Sequence, residues 1–243
     1  MAATQPLIPD DVEVAPDNSP EAIYDVLRRA ILSGQIAAGS DLVQAKVAAE
    51  FGVSRGPVRE AFRLLQREGL IVSQVNIRAR VSELSAQEVD HLYGLRVVNE
   101  ALALRVSVPR FSADELERLD ELAQAIASSK PEKFDEWESL HEQFHQLLIA
   151  HCGSSLQTSL TLWSDFTERY RRVYVADRSG AWILGSREHL LVAQECANRN
   201  ADAAVNILAE HLGRAGLTLM AMIDPRHEPM LVRAAMEQVT TRT

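Results

Sequence analysis

The sequence predicts a mainly α-helical chain in two parts: a small N-terminal unit of three helices with a β-hairpin, then an all-α bundle of six or seven helices. Three observations predict it. Apolar residues recur at three- and four-residue steps through most of the chain, the period of an amphipathic helix. Glycines at 34, 52 and 69 close three successive short segments. Strand-like alternation is confined to residues 70–81 and does not return after Ser85.

Composition bounds the function. The 243 residues are 47% hydrophobic and 24% charged, as in ordinary globular chains. No apolar run approaches the roughly eighteen residues a membrane span needs, and the N-terminus lacks a basic stretch followed by an apolar one, so the expectation is a cytoplasmic protein with no membrane partner. Cys152 and Cys196 are expected to be reduced core residues, not a disulfide framework.

The net charge of -9 argues against a nucleic-acid binder only if charge is spread evenly, and it is not. Residues 1–19 carry Asp10, Asp11, Glu13 and Asp17 with no Lys or Arg, and four of the nine prolines fall in the first twenty positions, which reads as a flexible acidic leader. Residues 54–80 carry six arginines against two glutamates, a local excess of +4.

Taken in order, Ile23, Val26, Leu27, Ala30 and Ile31 mark a first helix opening near Pro20 and stopping at Gly34. Gln44 to Phe51 reads as a short second helix closed by Gly52. Ser54 is placed to cap a third, which tolerates Pro57 in its first turn. On that third helix Val58, Ala61, Phe62 and Leu65 share one side, while Arg55, Arg59, Arg63 and Arg67 form an i, i+4 ladder on another. Leu70-Ile71-Val72 and Ala79-Arg80-Val81 then read as two strands around a turn at Asn76, with Arg78 and Arg80 on the hairpin. An arginine ladder alone describes a solvated helix face. Joined to a short turn, glycine punctuation and a basic hairpin, it describes a winged helix-turn-helix over residues 20–82.

The stretches GQIAAGSDL and GVSRGPVREAFRLLQREGLI resemble the DNA-binding domain of the GntR family of bacterial transcription regulators. That resemblance implies double-stranded operator DNA as partner, with the third helix in the major groove and arginines bidentate to guanine. It assigns base reading to Arg55 and Arg59, and backbone approach to Ser54, Gly56 and the wing around Asn76 and Arg78. The chain departs from the pattern at Ala45, where some relatives carry a DNA-contacting arginine, and at Arg78, where the wing turn often has glycine.

Ser85-Ala-Gln-Glu88 is a capping-box pattern that opens a long helix from Val89 to about Val108, before Pro109. Ser112, Pro131 and Ser186 mark further breaks, and helical periods run through 113–129, 133–151, 156–176, 186–198 and 201–222. The second domain is therefore drawn over 85–222, with 223–243 left as a tail.

The stretch HEQFHQLLIAH, His141 to His151, contains the zinc-protease pattern H-E-x-x-H, with a histidine where its extended form has a third ligand. With His141 at zero on a wheel of about 100° per residue, Phe134, Trp137, Phe144, His145 and Leu148 fall within about 60° of it. Glu142 falls at about 100°, among Asp135, Glu138 and Gln146 on the side expected to be wet, and so turns away from a metal held by the inner histidines. Leu148 replaces the glycine that ends the protease helix, so the helix is expected to run on past His151. His189 shares a face with Val192, Ala193 and Cys196, and His211 with Leu208, Leu212 and Ala215. A single inward histidine is ordinarily a satisfied core residue. Four facing one interior from three helices need four partners, and a shared divalent metal supplies them all at His141, His145, His189 and His211.

FHQLL and SREHLLVAQECANRNADAAVNILAEHL resemble the FCD ligand-binding domain of the FadR-type branch of the same family. Its metal-binding members use an acidic residue four before the first histidine and two later histidines. The resemblance assigns His145, His189 and His211 to those positions, with His141 in place of the acid. An imidazole there favours zinc or nickel over oxygen-preferring ions. Together the halves imply a homodimeric regulator, not an enzyme, controlled by a small organic acid beside the metal, with Arg96 and Tyr93 as effector-binding candidates. Arg96 also stands four before Glu100, where a plain intrahelical pair is an equal reading. Trp137, Trp163 and Trp182 are read as core or dimer packing. Two alternatives stay open at this stage: a metal-dependent hydrolase using the HEQFH helix, and a regulator whose metal is structural or is itself the signal.

Overall fold

In the computed structural model, residues 19–74, 78–130, 133–176 and 180–240 are described. The chain divides into two compact units at Leu84 and Ser85.

The first unit holds α1 (Pro20–Leu32), β1 (Asp41–Val43), α2 (Gln44–Glu50), α3 (Arg55–Arg67), β2 (Ile71–Gln74) and β3 (Arg78–Val81). Ser19 caps α1, its hydroxyl accepting from the Ala22 N–H. Ile23, Leu27 and Ile31 from α1 meet Val58 and Leu65 from α3 in the unit's core, each at most 2% exposed. The end of α3 is tied back by Arg28, whose Nε lies 3.2 Å from a Glu68 oxygen. Between α2 and α3 Gly52 takes φ +66°, a left-handed turn that any side chain would strain. The three antiparallel strands lie in the order β1-β3-β2, with Asp41 opposite Arg80 and Ile71 opposite Val81. The three helices and the hairpin match the expectation. β1 was missed because three residues are too few to show alternation.

The second unit is all helical among its described residues: α4 (Ala86–Ser107), a 3-10 turn (Val108–Arg110), α5 (Ala113–Ser128), α6 (Phe134–Leu148), α7 (Ser154–Ala176), α8 (Gly180–Ala197), α9 (Ala201–Ile223) and α10 (Leu231–Thr240). Ser112 and Glu115 close a full capping box at α5. The box read at Ser85 is half made. Ser85 accepts from the Glu88 N–H, but the Glu88 carboxylate is taken by Tyr170 and Arg169 of α7, and the Ser85 N–H donates to the Tyr170 hydroxyl at 3.4 Å.

Three sequence readings need correction. α6 stops at Leu148, because a tight turn over 149–152 ends at Gly153 with φ +91°. α8 begins at Gly180, so Ser186 lies inside a helix instead of opening one. Within the stretch read as a tail, α10 is helical and buries Val232 and Ala235. Its missing helical N-cap is supplied from far away in sequence: the buried Asp90 carboxylate of α4 accepts from the N–H groups of Met230 (3.1 Å), Leu231 (3.1 Å) and Val232 (2.9 Å). Glycines let the helices close up. A Cβ on Gly213 would run into the Met236 thioether, one on Gly94 would meet Leu231 backbone and side chain, and one on Gly216 would press on Tyr93.

Replacing Asp90 with Ala leaves three donors at the start of α10 without their acceptor, the Val232 N–H buried and the other two part-buried. The expected result is a loss of about 1–3 kcal/mol in denaturant-measured stability, with faster hydrogen exchange at the Leu231 to Ala234 amides. Unchanged protection there would contradict the capping role.

Candidate functional site

Two groups of predicted site residues lie in different units. In the first, α3 buries Val58, Ala61, Phe62 and Leu65 and turns Arg55, Arg59, Arg63 and Arg67 outward. Glu60 sits among them, 2.9 Å from Arg63 and 3.8 Å from Arg59. Exposed pairs of this kind are weak and leave the guanidinium groups able to exchange partners. Ser54 occupies the N-cap position with extended backbone but makes no capping hydrogen bond with its side chain, contrary to its expected role. At Gly56 a Cβ would meet only the Ser54 hydroxyl, at 3.7 Å, so packing within the unit does not demand the glycine. Arg78 opens β3 opposite Val43 and Gln74, while its side chain and Asn76 lie outside the described residues. Arg80 pairs across the sheet with Asp41 at 3.0 Å.

In the second unit, His141 and His145 from α6, His189 from α8 and His211 from α9 converge. One ring nitrogen from each lies within 4.8 Å of the others, and every one of the four side chains is buried. Ring centroids are 4.4 Å apart for His141 and His145, and 4.5 Å apart for His189 and His211. Their hydrogen bonding is incomplete. Both nitrogens of His189, Nδ1 of His141 and Nε2 of His145 are buried without a hydrogen-bond partner. The other nitrogen of two rings is held by a carboxylate: His145 Nδ1 lies 3.3 Å from Glu100 of α4, and His211 Nδ1 lies 2.8 Å from Glu188 of α8. A carboxylate behind an imidazole fixes its tautomer and leaves the opposite nitrogen as a lone-pair donor, the usual outer shell of a metal-ligating histidine. The donor set therefore fits a divalent ion of borderline softness, with all four imidazoles as ligands.

Electrostatics favour the same protonation state. Burial, with the neighbouring imidazoles beside it, pushes His141 and His189 well below the ordinary histidine value. Burial lowers His145 to about 4 despite the Glu100 contact. Burial alone would raise Glu100, but Arg96 and His145 outweigh it and hold its carboxyl at about 2. Glu188 is likewise raised by burial and pulled lower overall by His211 and Arg214.

A cavity opens at the cluster, with His141, His189 and His211 in its wall. Tyr93 and Arg96 line it from α4, Trp137 from α6, Arg171 from α7 and Ser186 from α8, while α9 contributes Leu212, Ala215 and Leu219. Arg96 makes the intrahelical pair, 2.6 Å to Glu100, and also lines the cavity. Its Nη1 donates to Thr167 at 2.9 Å and its Nη2 is buried without a partner. Thr167 also accepts from Arg171, which forms a two-point pair with Glu138. This corrects the placement of Glu138, which sequence put on the wet side with Asp135: it is 8% exposed and faces α7. Trp137 stacks on His141 at 4.5 Å as well as packing in the core.

The remaining residues of the HEQFH stretch stay outside the cluster. Glu142 is exposed and accepts from Gln146. His151, displaced by the turn after Leu148, lies 3.0 Å from Glu115 and edge-on to Phe111. Cys152 is half-buried in that turn and Cys196 is buried in α8, both as free thiols. Sequence reasoning missed Arg171, Ser186, Glu100 as a histidine partner, and Glu188. The Glu188–His189 dipeptide was visible, but helical spacing of about 100° puts adjacent residues on different faces, and only the fold shows Glu188 reaching His211.

Residues 20–81 match the family model for bacterial regulatory proteins of the gntR family, and residues 91–214 match the FCD domain. An uncharacterized HTH-type transcriptional regulator of Bacillus subtilis (strain 168), YdhC, is 29% identical, aligned over 77% of this chain and 85% of that protein. The HTH-type transcriptional repressor RspR of Escherichia coli (strain K12) is 30% identical over 79% of this chain and 85% of the repressor. Among solved structures, E. coli McbR/YncC shares the fold with a TM-score of 0.70 at 17% identity, covering 84% of this chain and 98% of that one.

The depressed histidines set the sign of a pH dependence. Unfolded imidazoles protonate near pH 6.5 whereas the buried ones resist, so the metal-free protein is fully stabilised above about pH 6.5 and loses stability as pH falls toward about 4, the folded value for His145. The stability of metal-free protein against denaturant is expected to hold from pH 7.5 to about 6.5 and to fall below that, by on the order of 1 kcal/mol per pH unit for each resisting imidazole. A flat profile would contradict the buried neutral state.

Proposed function

The chain belongs to the GntR family of bacterial transcription regulators and carries its FCD domain, and from that premise we propose that it binds operator DNA as a homodimer whose affinity is set by a small organic acid bound next to a divalent metal. One observation carries the proposal: four buried imidazoles, three of them with unmet ring nitrogens, adjoin a cavity lined by Arg96, whose Nη2 is buried without a partner. The ion, with zinc or nickel favoured by an all-imidazole set, supplies a positive centre for a carboxylate. Arg96 and Tyr93, with Arg171 added, orient the carboxylate from the protein side. As a transcription regulator the chain has no catalytic role to assign to Glu142.

In this reading Arg55 and Arg59 read base edges, and Ser54, Gly56 and the wing with Asn76 and Arg78 approach phosphates. Gly56 supports it, since no neighbour in its own unit needs the missing Cβ. Leu95 and Leu102, one heptad apart on α4 and 44% and 54% exposed, offer an apolar strip for a second copy, and a palindromic site then mirrors the dimer. No helix among the described residues is long and apolar enough to cross a membrane, in keeping with a cytoplasmic regulator. The effector shifts the operator equilibrium only through unequal affinity for two arrangements. α7 is the element suited to report occupancy: Arg171 lines the cavity and Thr167 accepts from Arg96 and Arg171, while Arg169 and Tyr170 hold Glu88 and Ser85 at the start of α4.

Arg59→Ala is expected to weaken binding to a selected operator by about 1–3 kcal/mol per lost bidentate contact while leaving random duplex binding nearly unchanged. Fluorescence anisotropy on both duplexes measures it, and an equal loss on each would remove Arg59 from base reading. Added zinc with a panel of organic acids should shift the operator affinity of the wild type. A shift with zinc alone and none with any acid would make the metal itself the signal.

A further inference from the structure

We infer that the organic acid the cavity accepts is a monocarboxylate with an aromatic or branched aliphatic body, and that polyhydroxylated and multiply charged acids are rejected. The inference rests on the cavity being the effector site, and it concerns what its wall can and cannot satisfy.

Hydrogen-bond capacity in the wall is one-sided. Arg96 Nη2 is a buried donor with no partner, and the wall holds a second guanidinium, that of Arg171, which is already bonded to Glu138, Ser164 and Thr167. Acceptors are scarce, for no Asp, Glu, Asn or Gln is among the described lining residues. The nearby carboxylates are already committed. Glu100 faces Arg96 at 2.6 Å and His145 at 3.3 Å, and Glu138 is held at both oxygens by Arg171. A ligand hydroxyl would thus look for an acceptor only at the Tyr93 and Ser186 hydroxyls. A sugar-type acid, with a hydroxyl on nearly every carbon, would leave most of them dry and unmet, and each stranded hydroxyl weakens binding roughly tenfold or more. A carboxylate at one end and carbon elsewhere matches the supply.

Shape and charge point the same way. The wall also holds Leu212 and Leu219, buried aliphatic side chains at 2% and 0% exposure, and the Trp137 ring, stacked on His141. At Gly185 a Cβ would meet nothing closer than His211 Cε1 at 3.7 Å, so this glycine adds cavity space that packing does not require. Each guanidinium in the wall already faces its own carboxylate, Arg96 with Glu100 and Arg171 with Glu138, leaving no pair of uncompensated cations for a second or third ligand carboxylate.

The test is isothermal titration calorimetry of the zinc-loaded full-length protein at neutral pH with benzoate, phenylacetate, isovalerate, gluconate and citrate. At least one apolar monocarboxylate is expected to bind tenfold or more tighter than gluconate and citrate. In Ala215→Asn, which sets a carboxamide in the wall and whose fold is checked by circular dichroism, that preference should fall at least threefold. Gluconate or citrate binding as tightly as every apolar acid, or a preference unmoved in folded Ala215→Asn, would overturn the inference while leaving an acid-binding site in place. No binding of any acid would overturn both the inference and the effector reading beneath it.

Discussion

Four imidazoles buried at one point inside a helical bundle are the constraint on which the rest of the second unit depends. Each ring brings two nitrogens that must be partnered once water is excluded. Carboxylates serve two of the eight, through Glu100 at His145 and Glu188 at His211. Protonation is no remedy, because burial and the neighbouring imidazoles hold His141 and His189 neutral. Neutral rings that face one another are lone-pair donors in want of an electrophile. A divalent cation would take one nitrogen from each, and the carboxylates behind two of the rings set the tautomers it needs.

Much of the scaffold that sustains this arrangement lies along α4. At steps of three and four residues, Asp90 caps α10, Tyr93 packs against Gly216 of α9, Arg96 enters the cavity and Glu100 holds His145. The glycines at 94, 213 and 216 allow α9 and α10 to approach closely enough for that alignment. α7 runs beside the same stretch, and its Thr167 joins the Arg96 and Arg171 ion pairs into one buried network. Such networks are stable when every member is satisfied, and in this one the Arg96 Nη2 is buried without a partner.

What could be read in advance was whatever periodicity and local chemistry encode. The arginine ladder, the glycine stops and the inward set of histidines follow from helical spacing, and the resemblance of SRGPVREAF and of the histidine-bearing stretches to known domains agreed with that reading. What escaped depends on partners distant in the chain. α10 reads as a tail because its cap, Asp90, lies 140 residues earlier than the Met230 amide it accepts. Glu138 reads as a wet residue on the α6 wheel until α7 lays Arg171 over it. Leu148 gives no stop signal, yet the turn before Gly153 ends the helix there and sends His151 to Glu115 instead of the cluster. Ser186 looks like a cap from its residue type, and only the run of helix from Gly180 turns it into cavity wall.

The account stands on one ion held by nitrogen from α6, α8 and α9. X-ray absorption at the zinc edge on protein loaded with one equivalent tests this directly. The expected spectrum shows stoichiometric zinc in a first shell of light atoms with the multiple-scattering pattern of several imidazoles and no sulfur. A shell containing sulfur from Cys152 or Cys196, or zinc that washes away from the wild type as readily as from His189→Ala, would contradict it.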